Sequence, residues 1–148
     1  MTDFDRPLRG FRTQSLLTWW QSNGAPPHRS QFDILDHAAN AASLFLVRRL
    51  EPGRFQYRLS GQEVIRIVGR NSRGEYFSTA DPSSRAAFAQ HLENVAQDRT
   101  PWVCEGTTEI AGRVGLISFE SVDCPLFGDD GEIGWIIGGM EALKHPQP

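Results

Sequence analysis

The fold is decided by one stretch: Leu44-Phe45-Leu46-Val47-Arg48-Arg49-Leu50, then Glu51-Pro52-Gly53, then Arg54-Phe55-Gln56-Tyr57-Arg58-Leu59-Ser60. The first segment is apolar and of strand length, and the middle residues are turn formers. The last segment alternates, with Phe55, Tyr57 and Leu59 on one side and Arg54, Gln56 and Arg58 on the other. That is the period of a half-buried strand, so the two segments form an antiparallel hairpin. From Gly61 the period lengthens to a helical one, with Val64, Ile65 and Val68 on one side and Gly69 at the stop. Ser60 and Glu63 have the spacing of a capping box.

Downstream, residues 70–82 are polar and irregular. Asp81-Pro82 then opens a helix predicted to run to about Asp98, with Ala87, Phe88, Leu92, Val95 and Ala96 as its apolar stripe. Thr100-Pro101 ends it. Three strands follow near 102–110, 115–124 and 132–141, connected at Gly112-Arg113 and Asp129-Asp130-Gly131. Upstream, Leu16, Leu17, Trp19 and Trp20 share one side of a short amphipathic helix over 14–22, stopped by Asn23-Gly24. Phe32-Asp33-Ile34-Leu35 reads as a short helical turn. The first dozen residues and His145-Pro146-Gln147-Pro148 read as tails.

These elements predict one α+β domain: a five-stranded antiparallel sheet with helices gathered on one face, plus an N-terminal amphipathic helix. The expected organisation is residues 1–30 for the tail and leading helix, 31–141 for the sheet domain, and 142–148 for a C-terminal tail. The apolar face of the leading helix is large enough that it must pack. Its own sheet and a second copy of the chain both qualify.

A length of 148 residues suits a single domain. At 39% hydrophobic and 22% charged the composition is that of a folded globule. The net charge of -3 supplies no basic field for nucleic acid. No run approaches the roughly 20 apolar residues that span a bilayer. Met1-Thr2-Asp3-Phe4-Asp5 lacks the layout of a signal peptide. Two cysteines cannot build a disulfide framework, and a reducing cytoplasm is the expected setting.

The residues that carry chemistry are scattered. His28, His37, His91 and His145 form no pair at helical ligand spacing, and no Cys-x-x-Cys occurs, so no metal ligand is assigned. His28 and His145 read as solvated. His91 lies at the edge of an apolar stripe, as a helix-flank histidine or as a ligand contact or axial haem ligand, although no haem motif is visible. Cys104 and Cys124 fall on the two strands of one hairpin, and a one-residue difference in register decides whether they meet. Inert buried thiols are the simpler reading; a redox pair is the alternative. Gly69-Arg70-Asn71-Ser72-Arg73-Gly74 follows a helix and matches neither phosphate-loop pattern. No nucleophile with a base can be named, so no catalytic residue is assigned.

Two strands, a run of short helices ending in a longer one, and three antiparallel strands together resemble the PAS fold. More narrowly, the chain resembles small stand-alone bacterial PAS proteins of PAS family five. The resemblance is carried by Leu17-Thr18-Trp19-Trp20, Phe32-Asp33-Ile34-Leu35, Leu44-Phe45-Leu46-Val47, Phe55-Gln56-Tyr57-Arg58-Leu59-Ser60-Gly61-Gln62-Glu63 and Val68-Gly69-Arg70. Phe119-Glu120-Ser121-Val122-Asp123-Cys124-Pro125-Leu126 and Ile137-Gly138-Gly139 complete it, so coverage runs from about residue 14 to 141.

The resemblance implies a sensory or interaction domain with a small molecule, or an empty cavity, between sheet and helices. It implies ligand-binding walls from Phe45, Tyr57, Phe88, Phe119 and Trp135, with Leu59, Val68, Leu92, Ile117 and Ile137 as further candidates. Arg58, Arg70 and His91 would orient an anionic or aromatic ligand. It also implies a homodimer through the leading helix, with Leu16, Trp19 and Trp20 as contacts, unless that helix folds over its own sheet. An unknown protein partner would receive the signal in trans. No cofactor is identified. Ser72 stands where light-oxygen-voltage flavoproteins, a PAS branch, carry the cysteine that forms the flavin adduct. Two other readings stand beside the sensor: a structural dimerisation module with a filled core, and a small enzyme using His91 or Asp123 as base.

Overall fold

Apolar periodicity places most of the elements in the computed structural model, which describes residues 7–109 and 116–143. A helix α1 (Phe11–Ser22) leads into 3-10 segments at Arg29–Gln31 and Ile34–Ser43. Strands β1 (Leu44–Glu51) and β2 (Arg54–Ser60) form the expected hairpin, followed by helix α2 (Gln62–Val68). Strand β3 (Tyr76–Ser78) and helix α3 (Ser84–Asp98) precede β4 (Trp102–Glu109), β5 (Leu116–Phe127) and β6 (Ile133–Ala142).

Among the described residues the sheet therefore has six strands, in the order β3-β2-β1-β6-β5-β4, rather than five. All its pairings are antiparallel. The extra strand is Tyr76-Phe77-Ser78, paired to β2 with Phe77 opposite Phe55. Three residues are too few to show a period of two, which is why the polar stretch around them reads as irregular. The capping box at Ser60 and Glu63 does not form: Gly61 occupies the cap of α2 without a side-chain bond. Glu63 instead accepts from Arg66 Nε at 3.1 Å. Helix α3 is capped by Ser83, whose Oγ accepts from the amide of Arg85 at 3.2 Å.

Both faces of the sheet are covered. Helices α2 and α3 lie over one face, where Phe45, Val47, Phe55, Phe77, Leu92, Val95 and Ile136 form a core. The opposite face carries α1, with Leu16 and Trp20 packed among Leu44, Leu46, Val122, Cys124, Leu126 and Ile137. Leu16 is 2% exposed and Trp20 6%, and the Trp20 indole donates to Pro125 O at 2.8 Å. The leading helix thus folds over its own sheet, and these two side chains are not on a surface open to a second copy. Trp19 is half-buried, edge-on to Phe32 at 5.7 Å and to His37 at 5.2 Å.

Residues 7–10 are not a loose tail. Leu8 is in the core beside α1. The amides of Arg9 and Gly10 donate to the buried Glu120 carboxylate at 3.0 and 2.7 Å. Thr13 Oγ1 donates to the same carboxylate at 3.0 Å, and the Thr13 amide to Glu141 Oε1 at 2.8 Å. Glu120 and Glu141 are cross-strand partners. Like charges so placed repel, and the positive N-terminal end of α1 sits over both and offsets the repulsion.

Two local features set which side chains reach which face. Leu46 pairs with Leu59 but Val47 pairs with Tyr57, so Arg58 is the extra residue of a β-bulge. The bulge turns Leu59 away from the side of Phe55 and Tyr57 and onto the α1 side. At Gly138 an added Cβ would lie 2.0 Å from Phe45 Cζ, so only glycine lets that ring cross β6. The Gly112-Arg113 connection and His145 lie outside the described residues.

Candidate functional site

A cleft of about 770 Å³ opens between the sheet and helices α2 and α3. Its walls are aromatic. Phe88 of α3 stacks on Tyr57 of β2 at 6.1 Å and on Phe77 of β3 at 5.5 Å. Phe45 of β1 lies 6.4 Å from both Tyr57 and Phe88. Phe119 and Met140 continue the apolar lining. Burial, with Asp123 nearby, pushes the Tyr57 phenol well above its usual range, so it stays neutral.

The two ends of the cleft differ in charge. Toward solvent, the Glu75 carboxylate is shared by two guanidinium groups, Arg70 and Arg85, the latter at 2.6 Å. Arg70 Nε also donates to Ser72 Oγ at 3.3 Å. At the buried end, His91 of α3 meets Asp123 of β5 and Cys104 of β4. His91 Nε2 donates to Asp123 Oδ2 at 2.5 Å and lies 3.7 Å from Cys104 Sγ. The Asp123 side chain is 3% exposed, and its other oxygen, Oδ1, is buried without a hydrogen-bond partner among the described residues. Burial works against a charged His91 ring, but the hydrogen bonds to Asp123 and Cys104 outweigh it and raise its pKa to about 10.

The fold explains this convergence. Trp102 pairs with Asp123 and Cys104 with Ser121, so Cys104 and Asp123 are diagonal neighbours on one face of the β4–β5 ladder. The His91 ring is held between Phe88, stacked at 6.3 Å, and Trp102, edge-on at 5.7 Å. The same register puts Cys124 on the opposite face, fully buried under α1, where desolvation raises its thiol pKa. The sheet separates the two cysteines, and neither is in a disulfide.

Of the side chains singled out in the sequence, Phe45, Tyr57, Arg70, Phe88, His91 and Phe119 all line this cleft. Arg58 and Trp135 do not: they lie on the other face, the Arg58 guanidinium 6.0 Å and that of Arg29 4.9 Å from the Trp135 ring. Strand parity is the reason. On β6 the residues turned toward α2 and α3 are Ile136, Gly138 and Met140, so Trp135 and Ile137 point the other way. Leu59 is moved there by the bulge. The sequence reading missed Phe77, Glu75, Arg85, Cys104 and Ser121 as lining residues. Arg85 precedes Phe88 and His91 at successive three-residue steps along α3, which is a legible helical face. Ser121 and Asp123 follow Phe119 at strand spacing.

The geometry bears on catalysis as well. Asp123 and Cys104 both address the same nitrogen of His91. A nucleophile–base–carboxylate relay needs the two partners on different ring nitrogens. With the pKa raised to about 10, the ring also keeps its proton at neutral pH and is not poised as a base.

An antiparallel sheet with short helices and one longer helix closing a cleft over its centre defines a class, the small α+β domain with a cleft between sheet and helices. A family model described as PAS domain matches residues 11–141, and the chain belongs to the PAS domain family, whose members are generally sensory and signalling modules. The PAS domain of Bordetella pertussis BvgS is similar in structure, with a TM-score of 0.52 and 18% identity over 77% of this chain and 89% of that one. A fungal light-oxygen-voltage photoreceptor matches at a TM-score of 0.50 and 13% identity, over 88% and 90% of the two chains. An RNA-binding light-oxygen-voltage receptor matches at 0.50 and 15%, over 97% of this chain and 38% of its own. At such identities the likeness is one of fold. No curated protein matches the chain. Among the described residues, no helix is long and apolar enough to cross a membrane.

Proposed function

We propose that this PAS domain is a sensor whose cleft takes up a small organic molecule and whose occupancy is passed to another protein, or to a second copy of the chain, by contact. The observation that carries the reading is the cleft itself. About 770 Å³ lies inside the range of roughly 300–1,000 Å³ typical of small-molecule sites. The stacked rings of Tyr57, Phe77 and Phe88 favour a flat, apolar body. At the open end two guanidinium groups face one carboxylate, a local excess of one positive charge that favours an acidic substituent. The expected ligand class is an aromatic or unsaturated carboxylic acid. A cytoplasmic setting belongs to the same proposal.

A cleft of this size argues against the filled-core dimerisation module. The enzyme reading is weakened by the protonated state of His91. Native mass spectrometry of freshly purified protein, with fluorescence titration against a panel of aromatic acids, tests the sensor reading. Trp102 lies edge-on to the His91 ring and is a reporter beside the cleft. Arg70→Ala is expected to weaken an aromatic acid about tenfold while leaving its neutral amide unaffected, the loss of one charge-assisted contact. If nothing co-purifies and no member of the panel shifts the emission, the ligand claim is lost.

A further inference from the structure

We propose that His91, Cys104 and Asp123 form a binding site for a single divalent transition-metal ion of the zinc class, with its remaining position open to the cleft. These residues come from α3, β4 and β5, and their ligand atoms all lie within 4.8 Å of one another. No motif marks them in the sequence because each belongs to a different element.

Geometry and donor type agree. Around tetrahedral zinc, sulfur and nitrogen ligands sit about 3.5 Å apart, as set by bonds of about 2.3 and 2.0 Å. Cys104 Sγ and His91 Nε2 are 3.7 Å apart. Nitrogen and oxygen ligands sit about 3.3 Å apart, so the 2.5 Å contact from His91 to Asp123 opens by roughly 0.8 Å as the ion enters. The buried Oδ1 of Asp123 has no hydrogen-bond partner among the described residues, which leaves that carboxylate with unused acceptor capacity at the floor of the cleft. Phe88 and Trp102 fix the imidazole plane, the orienting role that outer groups play around metal-bound histidines. One imidazole, one thiolate and one carboxylate suit zinc, cobalt or nickel; calcium and magnesium take oxygen ligands alone. A metal ligand binds as neutral imidazole and as thiolate, so binding competes with protons and weakens as the pH falls. The site does not depend on an organic ligand in the cleft.

The test uses untagged, chelator-treated protein titrated with cobalt(II). The expected result is one equivalent of cobalt with tetrahedral absorption in the visible and a thiolate-to-cobalt band in the near ultraviolet, both bleached by zinc. Cys104→Ser removes the near-ultraviolet band. His91→Gln and Asp123→Asn each weaken cobalt by about tenfold or more, while Cys124→Ala leaves every signal in place. Near-ultraviolet circular dichroism confirms that each variant folds. Thermal unfolding of the unmodified protein is an independent measurement, because an ion bound by the native state alone raises the melting temperature in proportion to its occupancy. Absence of the thiolate band in the unmodified protein, its survival in Cys104→Ser, or no rise in melting temperature with excess zinc would overturn the proposal. Co-purified organic ligand with no cobalt spectrum would leave the sensor reading standing and remove this one.

Discussion

His91 is the residue whose surroundings make the sharpest statement. Its pKa is raised from 6.5 in the ordinary state to about 10 in the fold. A raised folded pKa means that the unfolded chain gives up this proton first. The stabilisation is therefore fully present below about pH 6.5 and lost as the pH rises toward about 10. In chelator-treated protein, the difference in urea stability between the native sequence and His91→Gln should be flat just below about pH 6.5, where Asp123 is ionised, and shrink steadily across that window. A difference that stays flat or grows would show that the Asp123 contact does not hold the proton. At the same scale lies the main gap in the sequence reading. His91 stood out because of its place on a stripe, whereas Cys104 was visible only as a thiol of undecided register. The diagonal approach of Cys104 to Asp123 depends on a hairpin whose turn could be centred on either of two adjacent positions.

At the level of elements, α1 is tied to the sheet by buried polar contacts as much as by apolar ones. Glu120 accepts from Arg9, Gly10 and Thr13, and Trp20 donates to Pro125 O. Glu120→Ala strands those donors, and hydrogen bonds to a charged group are worth about 1.5–3 kcal/mol each. A loss of about 3 kcal/mol in denaturant unfolding is expected, with faster amide exchange at Arg9 and Gly10. An unchanged exchange rate would mean that the N-terminal segment is held by Leu8 and α1 alone. The positions of α1, α2, α3 and five of the strands were legible from apolar stripes, alternation or apolar runs bounded by turn residues. What was not legible came from long-range or sub-period features. Examples are the partner of Glu120 more than a hundred residues away, the three-residue β3, and the Arg58 bulge that reassigns Leu59. A strand reading that assumes unbroken alternation carries no signal for such a bulge.

For the whole molecule, the position of α1 turns a two-layer expectation into three layers, with helix on both sides of the sheet. Deleting residues 1–23 would uncover the apolar face built by Leu44, Leu46, Val122 and Leu126. Contiguous patches of that kind promote association. The truncated chain is expected to aggregate or to elute as higher oligomers in size-exclusion chromatography. A stable monomer would show that α1 is an accessory rather than a structural layer. Any dimer of the untruncated chain needs a surface other than Leu16 and Trp20, and the nearby Phe11 side chain, 77% exposed, is available for one.

One consequence follows from the adjacent glycines of β6. Gly138 receives the ring of Phe45 from the cleft, and Gly139 lies 3.2 Å, measured from an added Cβ, from Leu16 of α1. Between those two side chains there is only the thickness of a bare backbone. The strand is thus a thin partition, and a displacement of Phe45 on one side has almost no side-chain padding to absorb it before it reaches the helix on the other.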